Sequence, residues 1–211
     1  MARYGYGMSV SGTRKSIVPS SGGGGFITTS RAFNSGGGQV GSTNTGDIPE
    51  SWVANEATVT SVIFANDNSV SIIGSYAFYG CTSLASINIP NSVTTISEQS
   101  FRGCTSLSSI TIPDSVTSIG SYAFYDCNIT TITIPSGVTS IGGYAFQSCN
   151  NLATVLCYVA QSVFVGDETF SATASPLTIR VPTSGAVSDT WTAGTGLSFQ
   201  GNLNVTVIKN L

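Results

Sequence analysis

Histidine is absent from the 211 residues, and charged side chains of any kind make up only 8%. The first absence removes the usual general base, the Ser-His-Asp and Cys-His arrangements, and the commonest zinc ligand. The second sets the chain far below the roughly 25% charged residues of ordinary soluble domains. With so few basic groups there is no dense Lys/Arg stripe, which argues against a nucleic-acid partner. Long apolar runs are missing too. The longest, Leu152 to Val165, contains Thr, Gln and Ser and falls short of the roughly 20 apolar residues that span a bilayer. The opening MARYGYGMSVSGTRKSIV has no signal-peptide core, so conventional secretion is not expected. What remains is a chain that is 41% hydrophobic, enough for a core. Its polarity comes from Ser, Thr, Asn and Gly, a composition common in extracellular or particle-bound proteins.

The few charges are unevenly placed. Arg3, Arg14, Lys15 and Arg31 precede the first acid, Asp47, so the first 46 residues carry +4 and the rest −7. A basic arm on an acidic body suggests an arm that docks elsewhere.

Cutting the chain at one column exposes a repeat. LASINIPNSVTTISEQSFRGCTS begins at Leu84, LSSITIPDSVTSIGSYAFYDCN at Leu107 and ITTITIPSGVTSIGGYAFQSCNN at Ile129. A looser copy precedes them from Val59 and a degenerate one follows from Leu152. A period of 22 to 25 residues lies in the range of leucine-rich repeats. In Ile87-Asn88-Ile89 the alternation predicts a short strand, isoleucines inward and Asn88 outward. Pro90, Pro113 and Pro135 end these strands, having no N–H for a ladder. A second extended piece carries Ile73, Ile96, Ile119 and Ile141. Gly74, Gly120 and Gly142 are expected to allow a bend into a helical or 3-10 turn. Phe78, Phe101, Phe124, Phe146 and Phe170 then form an aromatic column. One coil cannot bury its apolar side alone, so five must stack, giving a slab about 20–25 Å long at about 4.8 Å per strand.

The pattern I-P-x-S-V-T-x-I-G-x-x-A-F-x-x-C resembles the BspA-type leucine-rich repeat over residues 59–175, and PLTIRVPTSGAVSDTW from Pro176 resembles that family's closing segment. The resemblance implies a β-rich right-handed solenoid of about five coils. Its members are surface adhesins and interaction proteins of bacteria, protists and phages. The expected organisation is an irregular Gly-rich arm over 1–50, the solenoid over 51–175 and a capping segment over 176–211.

The chemistry-bearing residues fall into repeat columns. Cys81, Cys104, Cys127 and Cys149 could suggest a metal or disulfide set, but spacings of 23, 23 and 22 residues stack them in one column as buried small side chains. A disulfide between neighbouring coils is geometrically open. Cys157 lies outside the column and is expected to pack. Asp114 and Asp126 occupy turn columns, Asp167 and Glu168 an exposed part of the last coil, and Asn66-Asp67-Asn68 lacks the spacing of a calcium loop. No catalytic residue, cofactor or metal is therefore expected.

Two stripes remain. Ser86/Asn88, Ser109/Thr111 and Thr131/Thr133 should face outward from the main strands. Tyr76, Gln99, Tyr122 and Tyr144, beside Tyr79, Arg102, Tyr125 and Gln147, should line the turn edge. That edge either binds a sugar or protein or merely covers the Phe column; Tyr76, Tyr79, Arg102, Tyr122, Tyr125 and Tyr144 form the candidate ligand face. In the arm, GGGG at Gly22 and GGG at Gly36 separate short pieces, with Arg3, Tyr4, Tyr6, Arg14, Lys15, Phe26, Arg31 and Phe33 as candidate partner contacts. Alone, this segment is expected to be disordered, and either threads over a partner or is an ordinary tail. ARYGYGMSVSG resembles N-termini of virion structural proteins of gut Bacteroidetes phages. Together these features predict a non-enzymatic virion protein, a head fibre or decoration, held to capsid or tail by its arm. It would be homo-oligomeric, a trimer being common among anchored fibres though not fixed by this sequence, and would present the solenoid to a host glycan or protein. The alternative is a bacterial or protist cell-surface adhesin of the BspA type. A glycan-acting enzyme is disfavoured by the lack of His and of paired carboxylates.

Overall fold

The computed structural model of the protein describes residues 30–34, 39–43, 48–49, 52, 58–64, 70–183, 191, 194–199 and 202–210. These residues wind into a β-solenoid with stacked coils and parallel strands. Each coil contributes two short strands. The first set comprises β3 (Val59–Ile63), β5 (Ser86–Asn88), β7 (Ser109–Thr111), β9 (Thr131–Ile134), β11 (Thr154–Cys157) and β12 (Leu177–Val181). The second comprises β4 (Ile72–Ile73), β6 (Thr95–Ile96), β8 (Ser118–Ile119) and β10 (Ser140–Ile141). The second set forms one parallel ladder, and the first is paired in two separate ladders, β5–β7 and β9–β11–β12, all in register by repeat column: Ile87 faces Ile110, Ile96 faces Ile119, and Ile132 faces Val155. Isolated bridges from Ile48 to Ile73 and from Ile141 to Phe164 extend the second sheet by one step at each end.

The sequence of one coil accounts for its path. Ile87, Ile89, Val93 and Ile96 point inward and are buried, while Ser86 and Asn88 are exposed. After Pro90 the chain turns, closed by Val93 N–H donating to Pro90 O at 3.1 Å; Pro113 and Pro135 repeat the turn. The recurrent Ser-Val-Thr follows from stacking. Ser92 and Ser115 donate their hydroxyls to Val70 O and Val93 O of the preceding coil, both at 2.7 Å, and Thr94, Thr117 and Thr139 do likewise at 3.0–3.2 Å. The valine between them fills the core.

The segments holding Ala-Phe are runs of turns and not continuous helices: every other N–H closes a 3-10-type bond, as Ala77 to Gly74 O and Tyr79 to Tyr76 O, and the 3-10 helix among the described elements is Gln161–Val163. Alternate peptide groups in these segments bond to neighbouring coils instead. Tyr76, Phe78 and Gly80 donate to Glu98 O, Ser100 O and Arg102 O at 2.7–3.1 Å, and Gln99, Phe101 and Gly103 donate to the next coil in turn. A helix would have consumed those groups internally. The glycines expected to make the bend have another role. A Cβ at Gly120 would lie 2.5 Å from Glu98 N, and one at Gly142 2.5 Å from Ser121 N, so they permit close approach between coils. The left-handed residue comes two positions later, at Tyr76, Gln99, Tyr122 and Tyr144, with φ of 53–62°.

The phenylalanine column is real. Successive rings from Phe78 to Phe170 are stacked 5.1–5.7 Å apart and within 13° of parallel. Trp52 meets Phe78 edge-on at one end, and Trp191 meets Phe164 edge-on at the other. The region assigned to the arm contributes at this first end. β1 (Ser30–Asn34) and β2 (Gln39–Thr43) form an antiparallel pair, β1 also pairs with β3, and Ile48 and Trp52 are buried. Core and ladder thus begin before residue 51, since the first coil would otherwise leave both a sheet edge and Phe78 uncovered. At the far end β13 (Gly194–Phe199) and β14 (Asn202–Lys209) join β12, β11 and β9 in a five-stranded sheet, with β14 parallel to β12.

Candidate functional site

Two columns of the Ala-Phe segment project outward. One holds Tyr76, Gln99, Tyr122, Tyr144 and Glu168; the other Tyr79, Arg102, Tyr125 and Gln147, as the inter-coil hydrogen bonds fix their register, with Gln99 itself buried beneath its neighbours. Their outward direction has a local cause: a left-handed residue followed by buried Ala-Phe turns one side chain out before the two go in. All six residues of the candidate ligand face lie on this one edge.

Arg102 is its centre. The guanidinium carbon sits 4.9 Å from the Tyr125 ring centroid, 5.6 Å from Tyr79 and 5.7 Å from Tyr122. These are cation–π distances. Gln99 Oε1 accepts from Arg102 Nη1 at 2.7 Å, and Gln99 Nε2 donates to the Tyr76 hydroxyl at 2.8 Å and to Glu98 Oε1 at 3.2 Å. Tyr122 stacks on Tyr144 at 4.7 Å and 12°. Tyr76–Tyr79 and Tyr122–Tyr125 pack tilted at 5.9 and 5.8 Å. The edge is thus prearranged by its own contacts. Tyr79 stays exposed, and Tyr76, Tyr122, Tyr125, Tyr144 and Arg102 are half-buried. Exposed carboxylates flank it, Glu98 near Tyr76 and Asp167 and Glu168 near Tyr144. The Tyr144 hydroxyl titrates above its ordinary range, chiefly through Glu168, then Tyr122, burial and Asp167. The part played by Glu98 and Glu168 was open to column arithmetic, because Glu168 falls one coil after Tyr144.

The cysteines carry no exposed chemistry. Cys104, Cys127 and Cys149 donate to Phe78 O, Phe101 O and Phe124 O of the preceding coil at 3.1–3.2 Å. All five cysteines are buried free thiols. Burial pushes Cys149 and Cys157 up to about 12. Among the described residues no group of three or more Cys, Asp or Glu could hold a metal ion, and no helix is long and apolar enough to cross a membrane. A polar cleft is lined by Thr105, Asp126, Cys127, Asn128, Ser148, Asn150 and Asn151. Of the arm candidates, Arg31 and Phe33 lie on β1, opposite Ser42 and Gln39. Arg3, Tyr4, Tyr6, Arg14, Lys15 and Phe26 lie outside the described residues.

The chain is 34% identical to a leucine-rich repeat protein from Bacteroides ovatus, over 64% of this chain and 35% of that one, with a TM-score of 0.54. It is 28% identical to the leucine-rich repeat protein of T. pallidum, over 80% of this chain and 72% of that one, with a TM-score of 0.51. It therefore spans about a third of the Bacteroides ovatus protein. No curated protein matches significantly. The family described as BspA type leucine rich repeat region matches residues 54–190 in six copies. With that match over well more than half its length, and a solenoid that repeats in register, the chain belongs to the BspA-type leucine-rich-repeat family.

Proposed function

We propose that the protein is a non-enzymatic interaction module of the cell-surface adhesin type, and that the tyrosine edge is where its partner docks. One observation carries this reading. Tyr76, Tyr79, Tyr122, Tyr125 and Tyr144 gather with Arg102 on one prearranged, accessible edge, whereas the exposed strand face carries only small hydroxyl and amide side chains such as Ser86, Asn88, Ser109 and Thr111. Aromatic and arginine side chains are those that dominate protein recognition surfaces. Because the edge is already ordered, binding loses little side-chain entropy. The family match supports the adhesin reading more than a virion fibre. The virion reading rests on the basic segment before Asp47 and on the arm's resemblance to phage proteins; in it, Arg3, Tyr4, Tyr6, Arg14, Lys15 and Phe26 anchor the chain to capsid or tail.

Photocrosslinking in the source cells tests the proposal. A photoreactive residue at Tyr79 or Tyr125 should yield partner adducts, and the same residue at Asn88 or Thr111, on the strand face, should not. Equal adducts at both faces, or adducts at the strand face alone, would remove the edge from consideration. Mass spectrometry of purified virus particles and of cell envelopes separates the two locations.

A further inference from the structure

Column one ends on a change of chemistry. Tyr144 stacks on Tyr122 with one face, and one coil further along the same column stands Glu168, close enough to raise the Tyr144 hydroxyl. Asp167 precedes it, and the Tyr144 N–H donates to Asp167 O at 3.0 Å. The hydrogen bonds to Glu98 and Glu168 side chains come from glutamines, Gln99 and Gln147 at 3.2 Å each, and not from a lysine or arginine. The aromatic edge already holds one guanidinium, that of Arg102, over three rings. It therefore has a ring face and carboxylates at one end, and an internal example of the group such faces attract.

Resting on the reading of this edge as a docking surface, we propose that the Tyr144 face, with Glu168 and Asp167, seats a lysine or arginine side chain of a partner polypeptide. The ring quadrupole and the carboxylate attract the same charge. A net charge of −7 after residue 46 draws a basic partner toward the body as a whole. Arg102 meanwhile is occupied by its own tyrosines and is not a free receptor for an anion.

Fluorescence anisotropy with the full chain tests this, using a labelled lysine–serine octapeptide and its glutamate–serine counterpart. The lysine peptide should bind about tenfold more tightly, with the preference shrinking as salt rises. Glu168→Gln combined with Asp167→Asn should erase the preference, while Asp114→Asn, an exposed acid in a turn after a main strand, should leave it. Tyr144→Phe should keep it and Tyr144→Leu should lower affinity about three- to tenfold. Equal binding of the two peptides, or a double variant that binds as before, would overturn the cation seat. If Tyr79 crosslinks persist in that case, the docking edge stands and only its charge preference is wrong. The Asp167 and Glu168 replacements are exposed and leave the core intact, so they decide the matter even if Tyr144→Leu unfolds.

Discussion

Replacing Ser100 by alanine should make the protein more stable, although it deletes a buried polar atom and adds no contact. Ser100 is wholly buried in the column of Ala77, Ala123, Ala145 and Thr169, and its hydroxyl has no hydrogen-bond partner. Its neighbours above and below are alanines, so the space around Oγ is shaped for a methyl group. An unsatisfied buried hydroxyl costs about 1–3 kcal/mol, and losing one oxygen's packing returns part of that. The net gain expected is about 1 kcal/mol, or a rise of about 2–4 °C in Tm for a domain of this size. Urea unfolding followed by circular dichroism measures it, provided the m-value is unchanged. The reciprocal change, Ala123→Ser, places the same hydroxyl one coil later and should destabilise by about 1–3 kcal/mol. If Ser100→Ala lowers stability, the hydroxyl has a partner and the argument from the column fails. If Ala123→Ser is neutral, these sites tolerate an unpaired hydroxyl and the magnitude is wrong.

Phe124 sits between Phe101 and Phe146 at 5.3 Å on either side, so Phe124→Ala should cost about 3–5 kcal/mol; a melting shift of a degree or two would mean the column is not the core. The five thiols should resist an aromatic disulfide reagent at pH 8 in the folded protein and react together once it is unfolded. Fast reaction of any in the native state would contradict their burial. Alkali tests the same burial through stability. Cys149 and Cys157 rise from 9.0 to about 12 on folding, so the folded state disfavours their thiolates. Their contribution is fully present below pH 9 and is lost as pH climbs from about 9 toward 12. Replacing both by alanine should flatten the decline in stability measured by urea unfolding over that window.

The stacking was legible because it leaves one residue type per column: inward Ile, the Phe, the Cys and the turn Pro all recur at the same offset. The tyrosine edge was legible for the same reason, since Tyr76 and Tyr79 recur as Tyr122 and Tyr125. The seat of Arg102 was not spelled out by any local motif, because its three rings come from the coils on either side of its own, Tyr79 from the one before and Tyr122 and Tyr125 from the one after. The left-handed backbone was also hidden. Tyr, Gln, Asp and Ser occupy positions with φ of 53–62°, where a local reading would look for glycine. What holds them there is the bond each makes to the next coil, a non-local cause. The N-terminal pair β1 and β2 was hidden because SRAFN and QVGST are short and lie outside every repeat column.

The bonds along the Ala-Phe segments give the stack a direction. The Glu98–Gln99 peptide accepts from Tyr76 of the coil before and donates to Ser121 of the coil after, and the next two alternate peptides do the same. Three rows of head-to-tail amides thus run the length of the solenoid, with every N–H pointing toward the C-terminal coils. Their dipoles add as they do along an α-helix, although here the axis lies across the chain and not along it. The C-terminal end of the edge is the positive pole, where the full charges of Asp167 and Glu168 outweigh its partial charge and leave the end attractive to cations. Rows on the strand sides run the other way, as in Ser97 N–H to Ile73 O and Gly120 N–H to Ile96 O, so this polarity belongs to the tyrosine edge and not to the solenoid as a whole.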